Sequence, residues 1–260
     1  MKFIFDVDGT LSFDGQKIDQ RILMLLERLK QRHHEVVFAS ARPIRDLIPI
    51  VGPFANDSLI GGNGSIVSQH GKITFCRTID NDDYQYVKTL IAKEKLDYIV
   101  DGSWDYAARL SSISPIFKQL DPGHLAHRRP LKDILQPIKI ILLNLTDQQM
   151  VQLFDSLQTE TSLSIVASLG EHNLDLTTRD VNKYTTAQSL FPGDYVAFGN
   201  DSNDQALLLH AKISVWIGSL LTAKRAGIDH PDQWYPASNE GVLKAIDGLL
   251  KDESFKNLAD

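Results

Sequence analysis

The residues best suited to chemistry stand at the start of the chain. Asp6-Val7-Asp8-Gly9-Thr10 follows the apolar run Phe3-Ile4-Phe5, so two carboxylates two positions apart mark the end of a buried strand. Gly9 lets the backbone turn sharply there. Burying neighbouring carboxylates is costly, because each loses water and repels the other. A bound cation is the usual compensation. The opening therefore implies a divalent metal ion and a carboxylate placed to react.

Three further polar clusters follow apolar runs. Ser40-Ala41-Arg42 comes after Glu35-Val36-Val37-Phe38-Ala39, and Gly61-Gly62-Asn63-Gly64 comes after Leu59-Ile60. Asn200-Asp201-Ser202-Asn203-Asp204 comes after Tyr195-Val196-Ala197-Phe198-Gly199. If these runs are strands of one parallel sheet, all four clusters meet at its C-terminal edge, where open α/β folds bind ligands. Each cluster alone has a plainer explanation. Ser40 suits a turn or a helix cap, Asn63 suits a left-handed turn, and Asp201 and Asp204 suit a helix N-terminus. Their joint placement favours a shared site.

The elements that must position these clusters alternate strand and helix. Ile18, Ile22, Leu25, Leu26 and Leu29 recur at helical spacing, and Pro43 opens another helix. Asp14-Gly15, between Leu11-Ser12-Phe13 and Gln16-Lys17-Ile18, predicts a small hairpin flap beside the first carboxylates. Ile213 to Ile217 forms a further strand, so both ends of the chain share one α/β domain. The middle has a different rhythm. Residues 82–95 read as a helix with Tyr86, Leu90 and Ile91 on one side. Strands follow at residues 98–100, 106–110 and 138–145, then a helix at 148–157 and strands at 163–167 and 174–177. That order predicts an antiparallel sheet with helices on one face. The fold class is thus α/β, a parallel-sheet core made of residues 1–80 and 181–260, with an α+β insert at 81–180. Residues 111–133 carry no clear period and are assigned to loop and short helix.

Composition narrows the function. A chain of 260 residues is long enough for two domains, and 43% hydrophobic content supplies an ordinary core. A net charge of −6 argues against a nucleic-acid partner. It leaves room for an anionic substrate, since a metal reverses the sign of one pocket. The single cysteine, Cys76, is expected in the core, and no intrachain disulfide is possible. Asp6 and Asp8 interrupt the apolar start, and the run from Ile138 to Leu145 is too short to span a bilayer, so a reducing cytoplasm without membrane attachment is expected. The eight histidines lack metal-ligand spacing, and His33-His34 reads as an exposed helix end. Arg45 is expected in solvent, and Asp101, Trp104 and Asp105 read as an ordinary turn between strands.

Asp-Val-Asp-Gly-Thr, Ala-Ser-Ala-Arg, Gly-Asn-Gly, a lone lysine and Gly-Asn-Asp-Ser-Asn-Asp occur here in the order seen in the haloacid dehalogenase superfamily, which the chain resembles over nearly its whole length. The insert resembles the type-IIB cap of the Cof-like sugar-phosphate phosphatases. The resemblance implies a Mg²⁺-dependent phosphatase acting on a small phosphorylated metabolite, a sugar phosphate above all. Asp6 would attack phosphorus to give an aspartyl-phosphate. Asp8 would act as acid and then base, with its main-chain carbonyl on the metal. Ser40 would bind a phosphoryl oxygen, and Lys183 would bridge Asp6 and the phosphate. The implied metal set is Asp6, Asp8, Asn200, Asp201 and Asp204, and the substrate set is Arg42, Asn63, Gly64 and Asn203.

Two positions depart from that family pattern. Tyr184 stands where glycine usually follows the lysine, and Asn200 stands where the first carboxylate of the acidic motif is common. Either Asn200 ligates through its amide oxygen or Asp201 takes over; Asn200 is the favoured direct ligand. Two other readings compete, a phosphomutase resembling phosphomannomutases and a non-catalytic metabolite-binding regulator. The joint presence of Asp6, Asp8, Ser40 and Lys183 favours catalysis.

Overall fold

The computed structural model describes residues 1–110, 115–168 and 172–252. The chain begins with β1 (Lys2–Phe5), α1 (Gln20–Gln31), β2 (Glu35–Ala39), α2 (Ile44–Val51) and β3 (Ser58–Gly61), then a hairpin of β4 (Ile66–Gln69) and β5 (Lys72–Cys76). Next come α3 (Asn81–Lys93), β6 (Asp97–Asp101), β7 (Tyr106–Arg109), β8 (Lys139–Leu143), α4 (Asp147–Glu160), β9 (Ser164–Ser168) and β10 (Asn173–Thr177). The chain returns through α5 (Lys183–Leu190), β11 (Tyr195–Gly199), α6 (Gln205–Leu209), β12 (Ile213–Ile217), α7 (Leu220–Arg225), β13 (Gln233–Tyr235) and α8 (Asn239–Lys251).

Two sheets result. The larger has the order β13-β12-β11-β1-β2-β3-β4-β5. Its strands from β13 to β3 are parallel, and β4 and β5 are antiparallel. β1 lies centrally, with Phe5 registered against both Phe38 and Phe198. Alternation along β1 sends Phe3 and Phe5 to the face covered by α1, α2 and α8, and Ile4 to the face covered by α5 and α6. Complete burial of side chains such as these stabilises the fold by roughly 1.5–3 kcal/mol each. The smaller sheet, β7-β6-β8-β10-β9, is antiparallel throughout. Val100, Ile140, Leu142, Leu174 and Leu176 fill one of its faces together with Tyr84, Val87 and Ile91 of α3 and Met150 and Leu153 of α4. Its other face turns toward the C-terminal edge of the large sheet.

Several expectations change. Residues 11–18 form a loop rather than a two-stranded flap. Asp14 Oδ1 accepts from the amides of Gln16 and Lys17, which folds the segment locally, and Ser12 makes only an isolated bridge to Asp8. Tyr84 and Val87, not Tyr86 and Leu90, are the buried residues beside Ile91 on α3. Cys76 is exposed at the end of β5, because that outermost strand has no neighbour beyond it. His34 is buried, since the left-handed turn at His33 carries it back beneath the sheet against the Phe3 ring. Part of residues 111–133 lies outside the described residues. Among the described residues no helix is long and apolar enough to cross a membrane.

Candidate active site

Strand ends assemble the site. Asp6 follows β1, and its amide donates to the Phe198 carbonyl of β11. The chain then turns tightly, with the amides of Thr10, Leu11 and Ser12 all donating to the Val7 carbonyl. Gly9 has φ +77°, and a β-carbon there would run into the Asn200 amide, so both the turn and the neighbour require glycine. The loops after β2 and β3 are laced together, since the amides of Asn63 and Gly62 donate to the carbonyls of Ser40 and Arg42.

Asp6, Lys183 and Asp204 form a buried ionic triad. Lys183 Nζ lies 2.6 Å from Asp6 Oδ1 and 2.6 Å from Asp204 Oδ1. Asn182 caps α5 and so fixes its first residue, Lys183, at that point. Burial opposes the ammonium charge, but Asp204 and Asp6 outweigh it and raise the lysine above its ordinary value. Burial, then the nearby Asp204 charge, pushes Asp6 up to about 7 against the pull of Lys183.

The structure does not bring the five expected metal residues together through their side-chain oxygens. Asp204 is fully buried, with Oδ1 on Lys183 and Oδ2 accepting from the amides of Asn200 and Asp201. It therefore orients the lysine and the loop instead of reaching the cavity. Asp201 is exposed and accepts from the Ser202 amide. The Asp8 side chain lines the cavity and pairs with Arg42. Among the described residues, no group of three or more His, Cys, Asp and Glu side chains is arranged to hold a metal. A different oxygen set does converge. The Asn200 side-chain amide lies 2.9 Å from the Asp8 carbonyl oxygen, 3.0 Å from Asp6 Oδ2 and 2.8 Å from Thr10 Oγ1, and with its NH₂ turned toward them its two N–H groups donate into this set. Turned the other way, the amide oxygen joins one carboxylate and one peptide oxygen. That hard-oxygen set suits a magnesium ion.

The expected substrate residues divide. Arg42 holds Asp8 in a two-point fork, with Nε 2.8 Å from Oδ2 and Nη2 2.6 Å from Oδ1. Asn63 lines the cavity in a left-handed conformation and accepts from Asn203 at 3.2 Å. Gly64 does not reach the cavity; it packs against Asn182 and Thr186, where a side chain would collide. Ser40 is fully buried, and its hydroxyl accepts from the Arg42 amide at 3.0 Å, the turn geometry.

Arg45 is buried, not solvated. It pairs with Asp101 of β6 at 2.5 Å, donates to the Trp104 carbonyl at 3.0 Å and lies over the Tyr106 ring. The turn after β6 thus clasps α2 of the larger sheet. Asp105 serves the surface, accepting from the His127 amide and Arg129. Next to Arg45, Asp46 accepts from the Asp121 amide, and burial pushes its carboxyl up to about 7 although Arg45 opposes this. Its folded value exceeds the unfolded one, so wild-type stability falls as pH rises from about 4 toward 7. Asp46→Asn should remove that slope and, at pH 8, exceed wild type on the order of 3 kcal/mol in urea unfolding. Parallel pH curves for the two proteins would contradict it.

Between the two sheets lies a cavity of about 450 Å³, lined by Asp6, Asp8, Arg42 and Asn200 below and by Lys139 and Asp175 above. Lys139 and Asp175 line the cavity but belong to none of the sequence motifs. The strict alternation Asn173-Leu174-Asp175-Leu176-Thr177 was the available signal for Asp175.

A parallel sheet with carboxylates and a lysine at its C-terminal edge, roofed by an antiparallel insert, defines a haloacid dehalogenase-type fold. A Streptococcus mutans UA159 structure superimposes with TM-score 0.78 at 20% identity, over 96% of this chain and 99% of that one. A sugar phosphatase of HAD subclass IIB superimposes with TM-score 0.72 at 18% identity, over 95% and 98% of the respective chains. These likenesses concern the fold alone. The family model of haloacid dehalogenase-like hydrolases matches residues 3–245, and the chain belongs to that family. An HMP-PP phosphatase of Klebsiella pneumoniae (strain 342) is 28% identical over 108 residues, 41% of this chain. The match spans only about a third of that curated relative, 35% of its length.

Proposed function

We propose that the protein is a Mg²⁺-dependent phosphatase of small phosphorylated metabolites, with sugar phosphates as the substrate class. The observation that carries this reading is a roofed cavity lined by both Asp6 and Asp8, with the buried Lys183 paired to Asp6. Family membership and the likeness to a subclass IIB sugar phosphatase support it. In this reading residues 1–80 and 181–260 are the catalytic core, and residues 81–180 are the cap.

Lys183 orients the Asp6 carboxylate, one oxygen of which bonds to phosphorus as the bond to the leaving oxygen breaks. Asp8 gives the departing alkoxide its proton. Water then loses a proton to Asp8 and attacks phosphorus, which breaks the acyl-phosphate bond and restores Asp6. Arg42 sets the position of Asp8, and the roof limits entry to small esters. Asp6, the Asp8 carbonyl and Asn200 would hold Mg²⁺, which would supply the charge neutralisation that two approaching anions require.

Phosphate release from a panel of hexose and pentose phosphates should require Mg²⁺ and stop with a chelator. Asn200→Asp should lower the half-saturating Mg²⁺ concentration several-fold, because it adds a negative ligand. Thermal shift during Mg²⁺ titration reads the same change without turnover. Equal release with and without metal would overturn the metal dependence.

A further inference from the structure

Resting on the phosphatase reading, we infer that the cavity face of the small sheet selects an uncharged polyhydroxylated alcohol and rejects a leaving group that carries a second anion. Lys139, Asn173 and Asp175 are the specificity-determining residues.

The sheet has two unlike faces. Ile140, Leu142, Leu174 and Leu176 pack against α3 and α4. The alternate residues Lys139, Asn173 and Asp175 line the cavity, interleaved with Ile99, Ile141 and Val166. β8 and β10 are antiparallel neighbours with Asp175 opposite Ile141, so Lys139 and Asp175 meet on the diagonal. Lys139 Nζ lies 2.6 Å from Asp175 Oδ2 and 3.2 Å from the Ala41 carbonyl, which belongs to the loop after β2. Only 3% of Lys139 is exposed, so this is a built ion pair and not a surface contact.

Charge balance decides which groups fit. Among the described residues, the cations lining the cavity are Arg42 and Lys139. Arg42 is committed to Asp8, and Lys139 to Asp175. The adjacent Arg45 is committed to Asp101, and Lys183 to Asp6 and Asp204. Each of these cations already has a carboxylate beside it, and Asp46 adds a further acid to the wall. A second phosphate or a carboxylate would therefore enter a site whose cations are neutralised, at low dielectric, facing acids. A hydroxyl both donates and accepts, so it can engage Asp175 and Lys139 together, while the interleaved Ile99, Ile141 and Val166 meet the apolar ring edges.

The test compares aldose phosphates with the matching aldonate phosphates, which differ by one carboxylate at nearly constant size. For wild type the ratio of kcat/KM, aldose over aldonate, should exceed roughly tenfold. Asp175→Asn bares the Lys139 charge and should shift the ratio toward the aldonate. Lys139→Met leaves Asp175 alone and should shift it further toward the aldose. Each ratio is internal to one preparation, so the folded fraction cancels. A merely structural role would move both variants in one direction. Equal use of both ester classes by wild type, or shifts of the same sign, would overturn the inference while leaving the phosphatase reading intact. Absence of phosphate release from every ester would overturn the phosphatase reading instead, and the inference with it.

Discussion

Asp6→Asn should reduce phosphate release by roughly a thousandfold or more while the protein stays folded. An amide has no charged oxygen to bond with phosphorus, so the covalent step fails. The fold tolerates the change because the amide oxygen can still accept from Lys183, and Asp204 still neutralises the ammonium at 2.6 Å. The substitution also removes a carboxylate that burial already pushes up to about 7, which limits the stability lost. Phosphate release and thermal melting on the same preparation check both halves. A variant that keeps a tenth of wild-type turnover would sink the covalent mechanism.

Lys183→Met should be the most damaging substitution overall. It leaves Asp6 and Asp204 buried near each other with no cation, and breaking a buried pair in this way costs about 3–5 kcal/mol. Activity should disappear with it, because Asp6 loses its orienting partner. The double variant Lys183→Met/Asp204→Asn separates the two effects. Removing the stranded charge should recover much of the stability in urea unfolding and none of the turnover. Recovery of turnover in the double variant would show that the lysine serves the fold alone.

The site's outline was legible in the sequence where chemistry and chain position coincide. Asp6 and Asp8 end an unmistakable apolar run, and the strand before Asn200 is equally plain, so β1 and β11 and the carboxylates they present could be read directly. Lys183 could not be read from composition. Its burial depends on Asp6, 177 positions away, and only the family resemblance pointed to it. Arg45 failed for the same reason. One helical turn of local sequence favours solvent, but Asp101 lies 56 positions on and draws it inward. Asp204 has the residue type of a metal ligand, but its two oxygens are engaged by a lysine and two backbone amides. The hairpin of β4 and β5 has a weak signal because β5 is short and mostly exposed, with only Ile73 and Phe75 alternating as apolar residues. The α8 helix carries no chemistry-bearing motif, and only the helical period of Val242, Ala245, Ile246, Leu249 and Leu250 marks it in the sequence.

The Asn200 amide has a consequence for how the protein is made. Many metal proteins remain unfolded until the ion arrives, because nothing else satisfies the converging ligands. Here the Asn200 amide already lies within hydrogen-bonding reach of the Asp8 carbonyl, Asp6 Oδ2 and Thr10 Oγ1. A newly synthesised chain can therefore complete its site without any ion. Under the proposed Mg²⁺ dependence, loading would be a half-turn about a single side-chain bond that exchanges a hydrogen-bond donor for an oxygen ligand, and the fold around the site would not wait on the ion.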